Sequence, residues 1–252
     1  MERSRISALA HAHHPIAAPL ADVVVAGLLE RALPPGEGRV LDLGCGRATW
    51  LRRGLDLRPA LHAVGVDLDT QTLERARRDA AADGLGDRLA LHAADARDFG
   101  ADRPFDSVLC VGATHTFGGL LPTLAAARCH LAPGGTVLVG DGFWEREPDR
   151  STLDVGFAVD EYADLATTVD RVTAAGWTPV YGHTSTPEEW DDYEWSWTGS
   201  LAAWALDNDA EAALEAATRH RDEWLHGYRG TLGFVTLVLR RTRPDDEPSS
   251  HR

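Results

Sequence analysis

The spacing of apolar positions along the first part of the chain changes repeatedly between a strand-like pattern and a helical one. Short apolar runs end in glycine or aspartate, and stretches with helical spacing separate them. One such stretch predicts a helix over 70–84, with Thr70 as its capping residue. Strands separated by helices predict a parallel sheet covered on both faces. The strand-like runs span residues 39–44, 62–67, 88–95, 105–113 and 135–142.

The pattern changes after these runs. A helical stretch over 158–176 precedes a strand over 177–184, and an aromatic, mostly helical block follows over 187–228. An alternating run over 230–241 predicts a closing strand. The chain is therefore expected to form an α/β domain with a seven-stranded, mostly parallel sheet, helices on both faces and a helical insertion before the last strand.

Composition excludes several kinds of chemistry. The chain has 252 residues, a formal net charge of −14 and 25 basic residues, all of them arginine. Without lysine, the chain can supply no phosphate-loop lysine, no Schiff-base lysine and no lysine general base. The acidic charge disfavours a nucleic acid as partner, because binding to phosphates needs a basic surface.

Cysteine and histidine positions bear on compartment and metal binding. The three cysteines, Cys45, Cys110 and Cys129, show neither even pairing nor metal-ligand spacing, which predicts a reducing compartment and hence the cytoplasm. The apolar runs are too short for a membrane helix, and the N-terminus lacks the features of a secretory signal. The histidines within 11–14 have no acidic partner at a matched spacing, so no metal site is predicted.

Glycines and acidic residues follow the first strands in a pattern typical of a nucleotide site. Gly44 permits a tight turn at the end of the first strand, and Gly46 permits a ligand to touch bare backbone. Asp67 ends the second strand and Asp95 the third. Because ligands of such sheets bind at the carboxyl ends of the strands, these residues are expected to line one crevice.

Four ordered motifs make the segment 39–142 resemble a class I S-adenosylmethionine-dependent methyltransferase of the bacterial small-molecule type. They are D-x-G-x-G-x-A over 42–48, Asp67 after "AVGV", "AADAR" at the third strand and "LAPGGTVLV" before the fifth. Ala48 departs from the pattern, since the family usually has a third glycine there. The resemblance implies a Rossmann-like fold whose last two strands are antiparallel, with S-adenosylmethionine as cofactor and S-adenosylhomocysteine as product.

The resemblance also implies roles for residues of the first two strands. Gly44 and Gly46 would lie behind the methionine part of the cofactor, and Asp42 would join the hydrogen-bond network around its amino group. Asp67 would accept both ribose hydroxyls, and Leu68 would pack against the adenine. The alternative for the two acids is helix capping or simple solvation.

Residues of the third and fourth strands receive roles in the same way. Asp95 would bond the adenine amino group, and Ala94 and Ala96 would leave room for the ring. Val111 and Gly112 would lie beneath the cofactor at the end of the fourth strand.

His115 is the candidate catalytic residue. It lies in "GATHTFGG", just past the fourth strand, where the reactive methyl is expected. A histidine there could act as a base toward the acceptor, or it could be a locally bonded polar residue. The segment lacks the acidic-or-Asn-Pro-Pro-aromatic run common in enzymes of this superfamily that methylate nucleic-acid bases, which again disfavours DNA and RNA.

An unusual aromatic block suggests the acceptor pocket. Tyr193, Trp195 and Trp197 lie close together among acidic residues, and the tryptophans of this block cannot all share one helical face. We expect Tyr193, Trp195 or Trp197, together with Trp144, to line a pocket, which could hold a cationic amine by cation–π contact. The alternative is that these aromatics anchor an added helix to the core.

The whole pattern predicts a single methyltransferase domain over 1–241. Within it we expect an N-terminal helical lid over 1–35, a cofactor-binding core over 36–143 and a substrate-side insertion over 187–228, with a disordered tail over 242–252. The expected reaction is methyl transfer to O, N or C of a small, aromatic or amine-bearing metabolite. Rival functions are a regulatory or interaction module that binds the cofactor without turnover, and a nicotinamide-dependent oxidoreductase. The sequence predicts no oligomeric state.

Overall fold

A computed structural model describes residue 6 and residues 9–242 of the chain. Its strands are β1 (Gly38–Leu43), β2 (Leu61–Asp67), β3 (Leu89–Ala93), β4 (Phe105–Val111), β5 (Leu131–Trp144), β6 (Trp177–Thr184) and β7 (Leu232–Arg241). Its α-helices are α1 (Asp22–Ala32), α2 (Thr49–Leu57), α3 (Thr70–Ala82), α4 (Leu120–His130), α5 (Arg150–Asp154), α6 (Leu165–Ala174), α7 (Pro187–Asp207) and α8 (Glu211–Glu223). A 3₁₀ helix spans Thr114–Phe117, and a π-helical turn spans Trp224–Tyr228.

The strands form one sheet in the order β3-β2-β1-β4-β5-β7-β6. The first five strands are parallel, whereas β7 runs antiparallel to both β5 and β6. The helices α7 and α8 lie between β6 and β7 along the chain. The predicted seven-stranded α/β fold, its helical insertion and its antiparallel final pair are therefore confirmed.

Both faces of the sheet are covered, which explains why its central strands are almost continuously apolar. On one face, α1 buries Val25, Leu28 and Leu29 in a cluster that also includes residues of α2 and α3. On the other face, Leu124 of α4 and Val172 of α6 pack in a second cluster. The insertion has a small core of its own between α7 and α8.

Capping residues set helix bounds that differ from the predicted ones. The N-cap of α3 is Asp69, not Thr70, because the Asp69 carboxylate accepts from the backbone N–H groups of Gln71 and Thr72 at 2.9 and 3.0 Å. The helix predicted over 158–176 is shorter and starts at Leu165, because Asp164 caps it from an extended conformation.

The two ends of the chain bear on the predicted lid and tail. In the N-terminal part, Ile16 and Leu20 are buried in the same cluster as α1, so this segment is packed against the body of the domain. The predicted tail lies outside the described residues from 243 onward. Among the helices that the structure describes, none is long and apolar enough to cross a membrane.

Candidate active site at the carboxyl edge of the sheet

Strand register brings the predicted cofactor residues to one edge of the sheet. Asp42 on β1 pairs with Gly65 on β2 and with Leu109 on β4, so the carboxyl ends of these strands lie side by side. Asp67, the last residue of β2, and Gly112, the first residue after β4, flank the glycine loop after β1. This edge is where open α/β sheets bind their ligands.

The loop after β1 has a backbone that depends on its small residues. Gly44 has φ +83°, and a Cβ built there would lie 2.5 Å from the Cβ of Ala113. Gly46 has φ +50°, and its Cβ would meet no atom within 4 Å. Ala48, which departs from the family pattern, also adopts the left-handed conformation, with φ +56°, and its methyl group is fully buried. Ala48 is thus the third residue of this loop, after Gly44 and Gly46, whose backbone conformation favours glycine.

Substitutions at the two glycines are expected to have different effects. Gly44→Ala should lower the free energy of unfolding by about 1–3 kcal/mol, since the new methyl group strains the backbone and collides with Ala113. Gly46→Ala should cost less stability but weaken S-adenosylhomocysteine binding, because its methyl group projects into the open space in front of the loop. Chemical denaturation and calorimetry on both variants test this. Equal losses of stability, with unchanged affinity in Gly46→Ala, would contradict it.

Asp67 ties the end of β2 to the glycine loop. Its Oδ2 accepts from the backbone N–H of Gly46 at 2.8 Å, and its Oδ1 accepts from the N–H of Asp69 at 2.9 Å. Each oxygen retains acceptor capacity, because an ionised carboxylate offers about four lone-pair sites. The neighbouring Leu68 is 64% exposed. The free acceptor sites of Asp67 suit the hydroxyls of a ribose, and the exposed side chain of Leu68 suits an adjacent adenine.

Asp42 is a buried carboxyl group with an unsatisfied atom. It is 3% exposed, and its Oδ2 has no hydrogen-bond partner. Burial raises the pKa of Asp42 to about 8, and the charge of Asp67 adds to the shift. A cation close to this site would relieve the cost of ionising the carboxyl group.

The carboxylate of Asp95 accepts hydrogen bonds from a residue of its own loop. Arg97 donates from Nε to Oδ1 at 3.0 Å and from Nη2 to Oδ2 at 2.5 Å, and its backbone N–H also donates to Oδ1. These bonds lower the pKa of Asp95 to about 2. Arg97 therefore competes for Asp95 with the adenine amino group that is expected to bond there. Ala96 is buried and Ala94 is half-buried beside it.

The N-terminal segment crosses the end of β4, which the sequence did not reveal. Gly112 has φ +75°, and a Cβ there would lie 2.8 Å from the carbonyl oxygen of Ala17. His14 stabilises the conformation of this segment by a hydrogen bond, since its Nδ1 lies 2.8 Å from the carbonyl oxygen of Ile16. Residues near position 17 therefore pass directly over the glycine predicted to lie beneath the cofactor. Val111, just before it, is half-buried.

His115 lies in the 3₁₀ helix after β4 and lines a cavity of about 480 Å³. Asp141, in the C-terminal part of β5, lines the same cavity and accepts a hydrogen bond from the hydroxyl of Thr114 at 2.9 Å. A larger cavity of about 870 Å³ lies at the opposite edge of the sheet, beside Gly38, His62 and Leu89. None of the predicted site residues lines that larger cavity.

The predicted substrate residues fall into separate groups. Trp144 packs edge-to-face on Tyr162 at 5.3 Å, and Tyr162 lines the cavity with His115. Tyr193 packs edge-to-face with His14 of the N-terminal segment, also at 5.3 Å.

The two remaining tryptophans of the block make other contacts. Trp195 is 52% exposed and meets Trp224 at 5.2 Å, whereas Trp197 stacks on His220 at 3.9 Å. The structure thus places the rings of Trp195 and Trp197 against other parts of the insertion, and it does not bring either of them to Tyr193.

The sequence did not indicate the role of Glu194, a buried acid in the insertion. Glu194 is 2% exposed, and it accepts from the Tyr228 hydroxyl at 2.7 Å, while its other oxygen lies 2.8 Å from Nε2 of His220. This network links α7 to α8 and to the π-helical turn. Because its members are far apart in sequence, no local pattern could have indicated it.

Comparison with known proteins agrees with this geometry. A family model described as a methyltransferase domain matches residues 40–135. The uncharacterized protein YjhP of Escherichia coli is 29% identical over 77% of this chain and 79% of its own length. A trans-aconitate 2-methyltransferase of Streptomyces avermitilis is 34% identical over 51% of this chain, and the match spans less than half of that protein, 46%.

A solved structure shares the fold over nearly the whole chain. It is a S-adenosylmethionine-dependent methyltransferase from Geobacter sulfurreducens in complex with S-adenosylhomocysteine. The two superpose with a TM-score of 0.85 at 23% identity, covering 94% of this chain and 98% of the other.

Proposed function

We propose that this chain is an S-adenosylmethionine-dependent methyltransferase with the class I fold, and that it methylates O, N or C of a small, aromatic or amine-bearing metabolite. The observation that carries the proposal is the position of the cavity beside His115. It adjoins the end of β4 and has a volume of about 480 Å³, which suits a small molecule.

The residues at the carboxyl edge fit the cofactor. The unsatisfied carboxyl of Asp42 suits a nearby ammonium group, the open space before Gly46 suits close approach to backbone, and Asp67 has acceptor capacity for hydroxyls. When bound, the cofactor supplies a methyl group on a sulfonium, a strong electrophile. The protein's own contribution is then to align the acceptor and to exclude water. We propose His115 as the residue that contacts the acceptor.

The net charge of the chain and the name of one relative support a small molecule as the acceptor. The net charge of −14 disfavours a nucleic acid as acceptor. One relative is named for a small organic acid, trans-aconitate, which supports a small molecule as acceptor here. The three free cysteines support a reducing compartment, which we propose is the cytoplasm.

Turnover against a panel of acceptors tests the proposed function. The purified chain is incubated with S-adenosylmethionine and small amines, phenols, carboxylic acids and thiols, and formation of S-adenosylhomocysteine is measured. We expect acceptor-dependent product with at least one small compound. Cofactor binding without turnover across the panel would instead favour a binding module.

Truncating the tryptophans of the insertion tests the predicted pocket. If Trp195 or Trp197 lines it, Trp195→Ala or Trp197→Ala should leave S-adenosylhomocysteine affinity within a few fold and sharply reduce methyl transfer. The ring contacts with Trp224 and His220 make a loss of stability the competing outcome. Full turnover with a lowered melting temperature in both variants would identify them as anchors of the insertion.

A further inference from the structure

The cavity beside His115 contains charged groups that have no role so far. Asp141, Glu161 and Arg171 line it, together with the ring of Tyr162. Glu161 and Arg171 are exposed to solvent, whereas Asp141 is only partly exposed. Solvent screens exposed charges more strongly, so Asp141 is the group with the greatest effect on a bound molecule.

Asp141 lies one strand away from the cofactor residues. Gly140 on β5 pairs with Val111 on β4, and the backbone N–H of Gly112 donates to the carbonyl of Gly140 at 3.3 Å. On its other side, β4 pairs with β1, which carries Asp42. The carboxylate of Asp141 therefore borders the cofactor site at the same edge of the sheet.

One oxygen of Asp141 is held and the other is left for a ligand. The Thr114 hydroxyl and the Gly142 backbone N–H both donate to Oδ1, each at 2.9 Å. Within the described part of the chain, these are the hydrogen bonds that Asp141 receives, and Oδ2 accepts none. Two donors on one oxygen fix the orientation of the carboxylate and leave the lone pairs of Oδ2 free.

The surroundings of Asp141 favour protonation. Burial is the largest cause that raises the pKa of its carboxyl group above the usual value, and Glu161 adds to it, whereas Thr114, Gly142 and His115 act in the opposite direction. A carboxylate with a raised pKa is a stronger base. The ring of Tyr162 lies against Gly142 beside it, where a Cβ would be 2.8 Å from the ring.

We propose that Asp141 holds the methyl acceptor through Oδ2 and receives its proton, and that the acceptor is a small amine. The inference rests on the proposed methyl transfer. The amine binds as an ammonium ion, and one of its protons passes to Oδ2 of Asp141, which frees the nitrogen lone pair. The nitrogen then bonds to the methyl carbon while the carbon–sulfur bond breaks with its electron pair left on sulfur, which gives a thioether and a methylated ammonium ion. Two acids, Asp141 and Glu161, against one arginine, Arg171, together with the Tyr162 ring, favour a cationic amine over an anionic acceptor.

Binding and turnover of amines by Asp141 variants test the inference. Asp141→Asn should keep S-adenosylhomocysteine affinity within about threefold, which also shows that it folds. In the same variant, we expect two quantities to fall by about 100-fold or more. The first is the affinity of primary amines for the S-adenosylhomocysteine complex, measured by NMR, and the second is kcat/KM for amine methylation. Asp141→Glu, which retains a carboxylate, should recover part of both. Asp160→Asn, which removes an exposed neighbouring acid outside the cavity, is the matched control.

The outcomes separate the inference from the proposed function. If the wild-type protein methylates an amine and Asp141→Asn does so equally well, the role of Asp141 is overturned while methyl transfer stands. If it methylates only acceptors that are not amines, the amine class is overturned. If amines bind in an Asp141-dependent manner but no acceptor in the panel is methylated, the subsite is supported and the proposed methyl transfer fails.

Discussion

Replacing Asp67 by alanine is expected to weaken S-adenosylhomocysteine binding by about 2–4 kcal/mol, or roughly 30- to 1000-fold. The variant loses the proposed acceptor of the ribose hydroxyls. It also loses the bond that Oδ2 receives from the backbone N–H of Gly46, which holds the glycine loop beside β2. The first loss acts on the bound state alone and the second disturbs the loop that the cofactor contacts, so calorimetric affinity is the measurement.

Asp69→Ala is the matched control, since it removes a carboxylate from the same loop. Asp69 caps α3 through Gln71 and Thr72, so its loss should lower the free energy of unfolding by about 0.5–2 kcal/mol. Its affinity for S-adenosylhomocysteine should stay within a few fold of wild type, because the backbone N–H of residue 69 still donates to Asp67. Unchanged affinity in folded Asp67→Ala would refute the ribose role.

Asp42→Asn is expected to stabilise the cofactor-free protein at high pH. The folded protein keeps a proton on Asp42 up to about pH 8, whereas an unperturbed aspartate releases it near 3.8. Raising the pH through this window therefore favours the unfolded chain, and the free energy of unfolding falls. Asparagine removes this dependence, so the variant should be more stable by roughly 2–4 kcal/mol at pH 8 and by little at pH 4. Denaturation at several pH values measures the difference.

The same substitution should weaken the cofactor complex. If the cofactor ammonium favours ionised Asp42, binding at pH 7 releases a proton, and affinity rises with pH toward about 8. Titrations in buffers of different ionisation enthalpy should detect this proton for the wild type and none for Asp42→Asn. Equal proton release by both proteins would place the titrating group elsewhere.

Local patterns predicted the strands and the glycine loop well. The strand predicted over 177–184 is β6 with the same bounds, and the turn at Gly44 and Gly46 follows β1 as expected. These features depend on short-range chemistry, namely apolar runs and positive φ angles. Asp67 is the last residue of β2 as predicted, whereas β3 ends at Ala93, two residues before Asp95.

Contacts between distant residues could not be predicted in this way. The passage of Ala17 over Gly112 and the bonds of Glu194 to His220 and Tyr228 join segments that no periodicity connects. The bidentate contact of Arg97 with Asp95 is local, but an arginine two residues after an acid is too common a pattern to indicate it.

Titration of S-adenosylhomocysteine into the purified chain tests the central assignment most directly, since every role at the carboxyl edge depends on that cofactor. We expect saturable, one-site binding at micromolar concentration, and no binding of NAD under the same conditions. Absence of any heat or thermal shift with S-adenosylhomocysteine, or binding of NAD that S-adenosylmethionine cannot displace, would contradict it.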